Sequence, residues 1–273
     1  MRIIRTVAEL KEWRASKNKV GFVPTMGAFH EGHLSLMRAA KSECGTCVTS
    51  LFVNPTQFGP NEDLNRYPRN EAADAEMAEA AGVDVLFCPG ADEVYPESFT
   101  QVIVSGVTDH WEGASRPGHF AGVALVVLKL FNMVQPTNAY FGLKDLQQCA
   151  VIRRMVKDLN VPLEVKYLET KRTTDGLALS SRNRYLSPED LTTAHQFPDS
   201  LRRAISEINH GIEEDSALRT AKERLERAGM AVDYLVIVDP YTMKECPASH
   251  PEARIMSAVR FAGIRLLDNM PLA

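Results

Sequence analysis

Over the first 170 residues, short apolar runs rich in β-branched and aromatic side chains alternate with stretches whose apolar positions recur at helical spacing. The runs "VGFVP" (20–24), "VTSLFV" (48–53), "VDVLFCP" (83–89), "NAYFG" (138–142) and "LEVKYLE" (163–169) read as strands, with a shorter one near "QVIVSG" (101–106). Helices are predicted between them over 32–43 and 70–81, over the apolar stretch 122–134, and over 145–159. Strands apolar on both faces, separated by helices, specify a parallel sheet covered on both sides. Such sheets bind ligands beyond the carboxyl ends of their strands. The segments "PTMGAFHEGH", "NPTQFGP" and "FGLKD" each follow one of these runs, so three loops are expected at one edge.

After about residue 176 the pattern changes. "SPEDLTTAHQFPDSLRRAISEINHG" and "EEDSALRTAKERLERAG" are amphipathic and helical, with Ser187 placed to cap the first ahead of Pro188. "VDYLVIVD", "ARIMSAVRF" and "IRLLDN" then read as strands. The expected organisation is a main α/β domain over residues 1–176 and a smaller α+β domain over 177–273 that closes over the first.

Composition changes this picture little. At 273 residues, 45% hydrophobic and 24% charged, the chain is ordinary for a globular protein with a full core. A net charge of −4 gives no electrostatic footprint for nucleic acid. The opening "MRIIRTVAELKEW" lacks a signal-peptide apolar stretch, and no run reaches membrane-spanning length, so the cytoplasm is the expected location. Five cysteines do not suggest a disulfide framework. "CGTC" (44–47) is a C-x-x-C, but it follows a predicted helix and precedes a strand. A redox pair should instead open a helix, where the positive end lowers the thiol pKa. These cysteines are expected to be structural.

Three stretches carry candidate chemistry. In "PTMGAFHEGH" two imidazoles, His30 and His33, lie with Gly27 and Gly32 where a strand gives way to a helix. Helix N-termini bind phosphate through unpaired backbone N–H groups and the dipole, and imidazoles there can donate to phosphate oxygens. A capped polar loop is the competing reading. "DGLALSSRNRYLS" (175–187) gathers Ser180, Ser181, Arg182 and Arg184, groups suited to triphosphate oxygens, although capping serines beside solvated arginines would look the same. In "FGLKDLQQ", Lys144 and Asp145 follow a strand end and Gln147 and Gln148 open the next helix, while Gln57 lies in "NPTQFGP". Glutamines can recognise a hydroxyl or carboxylate without adding charge, and on a surface they can equally do nothing.

Taken in series, "PTMGAFHEGHLSL", "FVNPTQFGPNEDLNRYPR", "ASRPGHFAGV", "FGLKDLQQCAVIRRMVKDLN" and "DGLALSSRNRYLS" closely resemble the pantothenate synthetase family, the pantoate–β-alanine ligases of the HxGH nucleotidyltransferase superfamily. The "DYLVIVD…RLLDN" pattern fits as well. The resemblance implies a Rossmann-like domain with a C-terminal lid, ATP and Mg²⁺ as requirements, pantoate and β-alanine as partners, and a homodimer. It places Met26, Gly27, Ala28, Phe29, His30, Glu31, Gly32 and His33 in the ATP turn, with His33 as proton donor. Gly142, Leu143, Lys144 and Asp145 would form a second nucleotide segment, Lys171 would meet the adenine through its backbone, and Leu179, Ser180, Ser181 and Arg182 would grip phosphates. Gln57 and Gln148 would hold pantoate, with Gln57 also bordering the β-alanine position. His30, His33, Lys144, Ser180, Ser181 and Arg182 would carry the catalysis.

The chain departs from the family pattern twice. Leu143 stands where the family commonly has glutamate, and Lys171-Arg172-Thr173 replaces Val-Arg-Glu. If these positions act through the main chain, nucleotide binding survives both changes. The implied reaction joins the pantoate carboxylate to the α-phosphorus of ATP, releases pyrophosphate, and passes the pantoyl group to β-alanine with loss of AMP. A nucleotide-cofactor adenylyltransferase and a non-enzymatic nucleotide- or RNA-binding protein are the rival readings. The paired glutamines and two-domain length speak against the first, and the acidic chain without an aromatic-basic stripe speaks against the second.

Overall fold

The computed structural model describes residues 1–60, 62–97 and 99–272. They pack as two compact units, one comprising 1–142 with 151–168, the other 143–150 with 169–273. Residues 169–176, expected in the first domain from the sequence, therefore pack with the C-terminal unit, as does the short segment 143–150.

The first unit is built on six parallel strands in the order β1-β4-β3-β2-β5-β6. These are β1 (Arg2–Ile4), β2 (Gly21–Thr25), β3 (Cys47–Leu51), β4 (Val85–Phe87), β5 (Asn138–Gly142) and β6 (Glu164–Leu168). Helices α1 (Val7–Ala15), α2 (Glu31–Cys44), α3 (Glu71–Ala80), α4 (Ala91–Val94), α5 (Trp111–Ser115), α6 (His119–Val134) and α7 (Leu146–Asp158) connect them, with the first residues of α7 belonging to the second unit. Strand β2 is buried along nearly its whole length, as a strand covered on both faces must be. Chain order runs outward from β2 in both directions, through β3 and β4 on one side and β5 and β6 on the other. The topological switch therefore lies at the carboxyl end of β2, where the histidine-bearing turn begins.

The strand expected near 101–106 does not form: the segment pairs with no strand among the described residues, and Ile103 is 72% exposed. An apolar alternation makes no strand without a neighbouring ladder to take its backbone hydrogen bonds, and here the Val104 carbonyl accepts from Thr108 Oγ1 at 2.6 Å instead. Strand β1 has no signal in the sequence, because three residues are too few to show a period.

"CGTC" sits where the pattern places it. Cys44 ends α2, Gly45 closes the helix in the left-handed region, and Cys47 opens β3. Cys47 is fully buried, and burial pushes its thiol up to about 12. The doubly substituted Cys44→Ser, Cys47→Ser enzyme should keep its turnover in both reducing and oxidising buffer. Loss of turnover in a variant that still folds would overturn the structural reading of this pair.

The second unit packs α8 (Pro188–Ala194), α9 (Gln196–Asn209) and α10 (Glu214–Arg227) on an antiparallel sheet β7-β8-β9 (Ala231–Val238, Arg254–Phe261, Ile264–Pro271). Its core gathers Phe197, Leu201, Leu225, Ile255 and Val259. Ser187 caps α8 in a reciprocal capping box with Asp190. The first amphipathic stretch is two helices rather than one, divided at His195. Pro198 lacks an N–H and is tolerated only in a first turn, so a new helix starts just ahead of it.

Candidate active site

The turn that follows β2 is fixed from below by a residue far away in sequence. Gly27 and Ala28 both have positive φ, +88° and +54°. This conformation is costly for alanine unless its surroundings impose it. Asp74 on α3, 3% exposed, imposes it: its carboxylate accepts from the backbone N–H groups of Ala28 (2.8 Å) and Phe29 (2.7 Å). His30 then caps α2, its Nδ1 accepting from the Gly32 N–H at 3.1 Å. An accepting Nδ1 places the proton of the neutral ring on Nε2, which is therefore a donor. A Cβ on residue 32 would lie 2.8 Å from His30 Cε1, so glycine is what lets the ring fold back over the first turn. One turn on, the His33 ring lies 4.1 Å from that of His30, tilted by 35°, and meets Phe29 at 5.6 Å. Glu31 is exposed on the outer side of this turn.

Gln57 lies beside that turn. Asn54, 1% exposed, donates from Nδ2 to Gln57 Oε1 (3.0 Å) and to the Gly122 carbonyl (3.2 Å), while its Oδ1 accepts from Tyr95 Oη–H (2.9 Å). Because Oε1 is used as the acceptor, the Gln57 amide turns its NH₂ group toward Met26 and donates to Sδ at 3.2 Å. Helix α6 approaches so closely that a Cβ at Gly122 would sit 2.3 Å from the Thr56 carbonyl oxygen. The Gln57 backbone is held as well: its carbonyl oxygen lies 2.8 Å from Nδ1 of His119, whose Nε2 lies 2.9 Å from Nη1 of Arg116. Arg116 forms a bidentate pair with Glu62, both contacts 2.6 Å. Burial works against the Glu62 charge, yet Arg116 keeps that carboxyl below its ordinary value.

Burial and the adjacent Arg116 charge push His119 down to about 4. The neutral ring thus donates from Nδ1–H to Gln57 and accepts at Nε2 from Arg116. In the unfolded chain His119 binds a proton below about pH 6.5, whereas in the folded protein it does so only near 4. Its contribution is thus fully present above pH 6.5 and lost as pH falls toward 4. The difference in melting temperature between the native protein and His119→Asn should therefore shrink over that interval. A difference that stays constant from about pH 7.5 to about 4.5 would show that His119 is not held neutral.

The second unit brings the remaining predicted residues together in two segments. Residues 171–179 form a small hairpin: Arg172 bridges Ala178, and Leu179 N–H donates to Lys171 O at 2.9 Å, so Lys171 and Leu179 are direct cross-strand partners. Ser180 follows as the cap of a 3₁₀ turn over Ser181–Tyr185, its Oγ accepting from Arg182 N–H at 3.3 Å, and Ser181 is buried. The capping reading of this serine thus holds for Ser180 Oγ as acceptor, and its hydroxyl proton can still be donated. In the other segment the Leu143 and Lys144 carbonyls accept from Asn269 Nδ2 at 2.8 and 3.1 Å. Lys144 Nζ lies 3.5 Å from Asp145 Oδ1. Leu143, the departure from the family's glutamate, is engaged through its main chain. Gln148 is half-buried on the first turn of α7, and its neighbour Gln147 is 2% exposed.

No motif in the sequence marks Asp74 or Tyr95, and His119 and Asn269 lie in segments that carry the family resemblance without any role being legible for them. Asp74 sits in "NEAADAEMAEAA" among acids that look alike until the helix is placed. Asn54 does leave a trace, since Asn-Pro commonly opens a turn.

A parallel sheet whose switch-point strand feeds a left-handed turn and a capped helix N-terminus defines a nucleotide-binding α/β protein. The model of the Pantoate-beta-alanine ligase family matches residues 2–271. Pantothenate synthetase of Chloroflexus aggregans is 48% identical over 273 residues, covering 98% of this chain and 99% of that protein. The crystal structure of pantothenate synthetase from Thermus thermophilus has a TM-score of 0.95 at 48% identity, covering 100% of this chain and 99% of that one. That of pantoate-beta-alanine ligase from Francisella tularensis, complexed with Beta-gamma ATP and Beta-alanine, has a TM-score of 0.86 at 34% identity, covering 100% of this chain and 98% of that one. This chain belongs to the pantoate–β-alanine ligase family. Its activity is the ATP-dependent joining of pantoate and β-alanine, which decides against the adenylyltransferase and non-enzymatic readings.

Proposed function

We propose that the histidine pair at the N-terminus of α2 carries the first half of this reaction, in which the pantoate carboxylate attacks the α-phosphorus of ATP. The supporting observation is the arrangement of that turn: the rings of His30 and His33 in contact, 4.1 Å apart, over a backbone locked by Asp74, at the switch point of the sheet. A free carboxylate does not accept an amine at neutral pH, because oxide would have to leave. Adenylylation turns that oxygen into part of AMP, a good leaving group, and expels pyrophosphate. β-Alanine then attacks the acyl carbon and AMP departs. Phosphoryl transfer of this kind needs positioning and charge neutralisation above all. His33 and the Nε2–H of His30 donate to phosphate oxygens as charge builds there. Lys144 supplies a point charge and Ser180, Ser181 and Arg182 supply donors to the triphosphate, with Gly142 to Asp145 and the Lys171 backbone seating the nucleotide.

Among the described residues no group of three His, Cys, Asp or Glu is arranged to hold a metal. Magnesium is proposed as part of the MgATP substrate, where it would lower the charge those residues must offset. Gln57 offers N–H donors to pantoate, because Asn54 already occupies its oxygen. Gln148 supplies the second amide. Among the described residues no helix is long and apolar enough to cross a membrane, and the cytoplasm is the proposed location. The proposed assembly is a homodimer, a reading supported by the exposed apolar side chains of Phe99 and Ile103, and sedimentation velocity checks it.

Two experiments test this reading. Carboxylate ¹⁸O in pantoate should appear in AMP, since only an acyl-adenylate route moves that atom; unlabelled AMP would exclude the adenylate. In the second, Gln57→Ala and Gln148→Ala should each lower kcat/KM for pantoate about 5- to 150-fold, the cost of one unpaired buried polar group. ATP affinity should hardly change, and Gln57→Ala should also slow the β-alanine step. Variants indistinguishable from wild type would return both glutamines to the surface reading.

A further inference from the structure

Strand β9 carries Asp268 and Asn269 near its end, each 1% exposed, and neither is accounted for by the chemistry above. Adjacent strand residues direct their side chains to opposite faces, so one strand can reach two different segments with neighbouring positions. Asn269 takes the segment that carries Lys144. Its Nδ2 donates both available protons, to the Leu143 carbonyl at 2.8 Å and the Lys144 carbonyl at 3.1 Å. Its Oδ1 is fixed in turn by Arg254 Nε at 2.7 Å, which leaves the amide no freedom to flip. Asp268 takes the hairpin. Its buried carboxylate receives the Arg172 fork at 2.6 and 2.8 Å, and Arg172 also donates to the Gly176 carbonyl across the hairpin end and to the Asn269 carbonyl, both at 3.1 Å.

We propose that Asp268 and Asn269 are positioning residues for the nucleotide, setting where the 143–145 segment and the 171–182 loop lie within the C-terminal unit. The proposal rests on the reading that these two segments bind ATP. Neither residue touches the nucleotide. Asn269 acts through the main chain that bears Lys144, and Asp268 acts through Arg172 on the hairpin that leads into Ser180, Ser181 and Arg182. The same arrangement explains why residues 143–150 pack with the C-terminal unit although β5 and most of α7 belong to the first. It also explains how Leu143 can stand in for glutamate, because the contact that matters there is a carbonyl.

The test is binding of a non-hydrolysable ATP analogue by calorimetry, together with separate KM values for ATP and pantoate. Asn269→Asp keeps the volume and the acceptor for Arg254 but turns the donors toward two carbonyls into acceptors. Arg172→Lys keeps the charge at Asp268 and loses the fork. Each should weaken the analogue about tenfold or more while the pantoate KM, measured at saturating ATP, stays within about twofold. If Asn269→Asp fails to fold, Arg172→Lys decides alone, since its site is less enclosed. Analogue affinity within about twofold of wild type, or equal losses for ATP and pantoate, would overturn the proposal. Lys144→Met separates the two layers: if it weakens the analogue while the positioning variants do not, only the positioning role fails. If it too leaves affinity unchanged, the nucleotide reading of the 143–145 segment fails.

Discussion

His33→Ala should fold normally and lose most pantoate-dependent pyrophosphate release, by about 10² to 10³ in rate, the usual effect of removing one fixed donor from a developing charge. The expectation is for rate and not for stability, because His33 is only half-buried on the first turn of α2 and its ring packs on those of Phe29 and His30. The loss should also be specific to the first half-reaction. Pantoyl adenylate supplied directly, followed by β-alanine, should be consumed at close to the native rate. Native pantoate-dependent pyrophosphate release by the variant would remove His33 from the mechanism.

Asp74→Ala should have the largest effect on folding and on ATP affinity together. The carboxylate accepts from both the Ala28 and Phe29 N–H groups in a buried turn, and removing it takes that acceptor from two donors at once. At about 1–3 kcal/mol for each, the sum is about 2–6 kcal/mol, a large share of the stability of an ordinary domain. The left-handed conformation of Ala28 then loses what enforces it, and the turn that presents His30 relaxes. Thermal unfolding should show a fall of many degrees. On the proposed reading of this turn as the ATP site, ligand should restore little of it. Asp74→Asn is the sharper probe. Its amide oxygen can serve one N–H, but its NH₂ faces the other donor, so it should lie between Ala and wild type. An Asp74→Ala enzyme with native melting temperature and native ATP affinity would show that the turn does not depend on this carboxylate.

These two residues mark the boundary of what the chain reveals when read as a string. His33 is legible because it lies in a short local motif: strand, glycine turn and helix start follow one another within about ten residues, and each has its own sequence signal. The same holds for the parallel sheet, whose strands are apolar on both faces, for the capping box at Ser187, and for the structural character of "CGTC", which follows from its position after a helix. Gln57 and Gln148 are legible only through the serial resemblance, since an isolated glutamine carries no signal.

Hydrophobic periodicity and turn chemistry are properties of neighbouring residues, and they were enough to determine the α/β class and most of the parallel strands, while the motifs taken in series pointed to the family. The tertiary structure alone decided which distant groups hold the histidine-bearing turn, the Lys144 segment and the Gln57 backbone in place. Asp74 lies more than forty residues from the backbone it holds, Asn269 more than a hundred from Lys144, and His119 more than sixty from Gln57. A hydrogen bond between a side chain and a remote main-chain group leaves no periodicity, because its backbone partner has no side-chain identity to read. It also decided where the chain breaks. The strand expected near 101–106 found no ladder, and the helix expected across His195 was divided by Pro198, since backbone N–H groups must be satisfied in three dimensions and apolar spacing does not record whether they are.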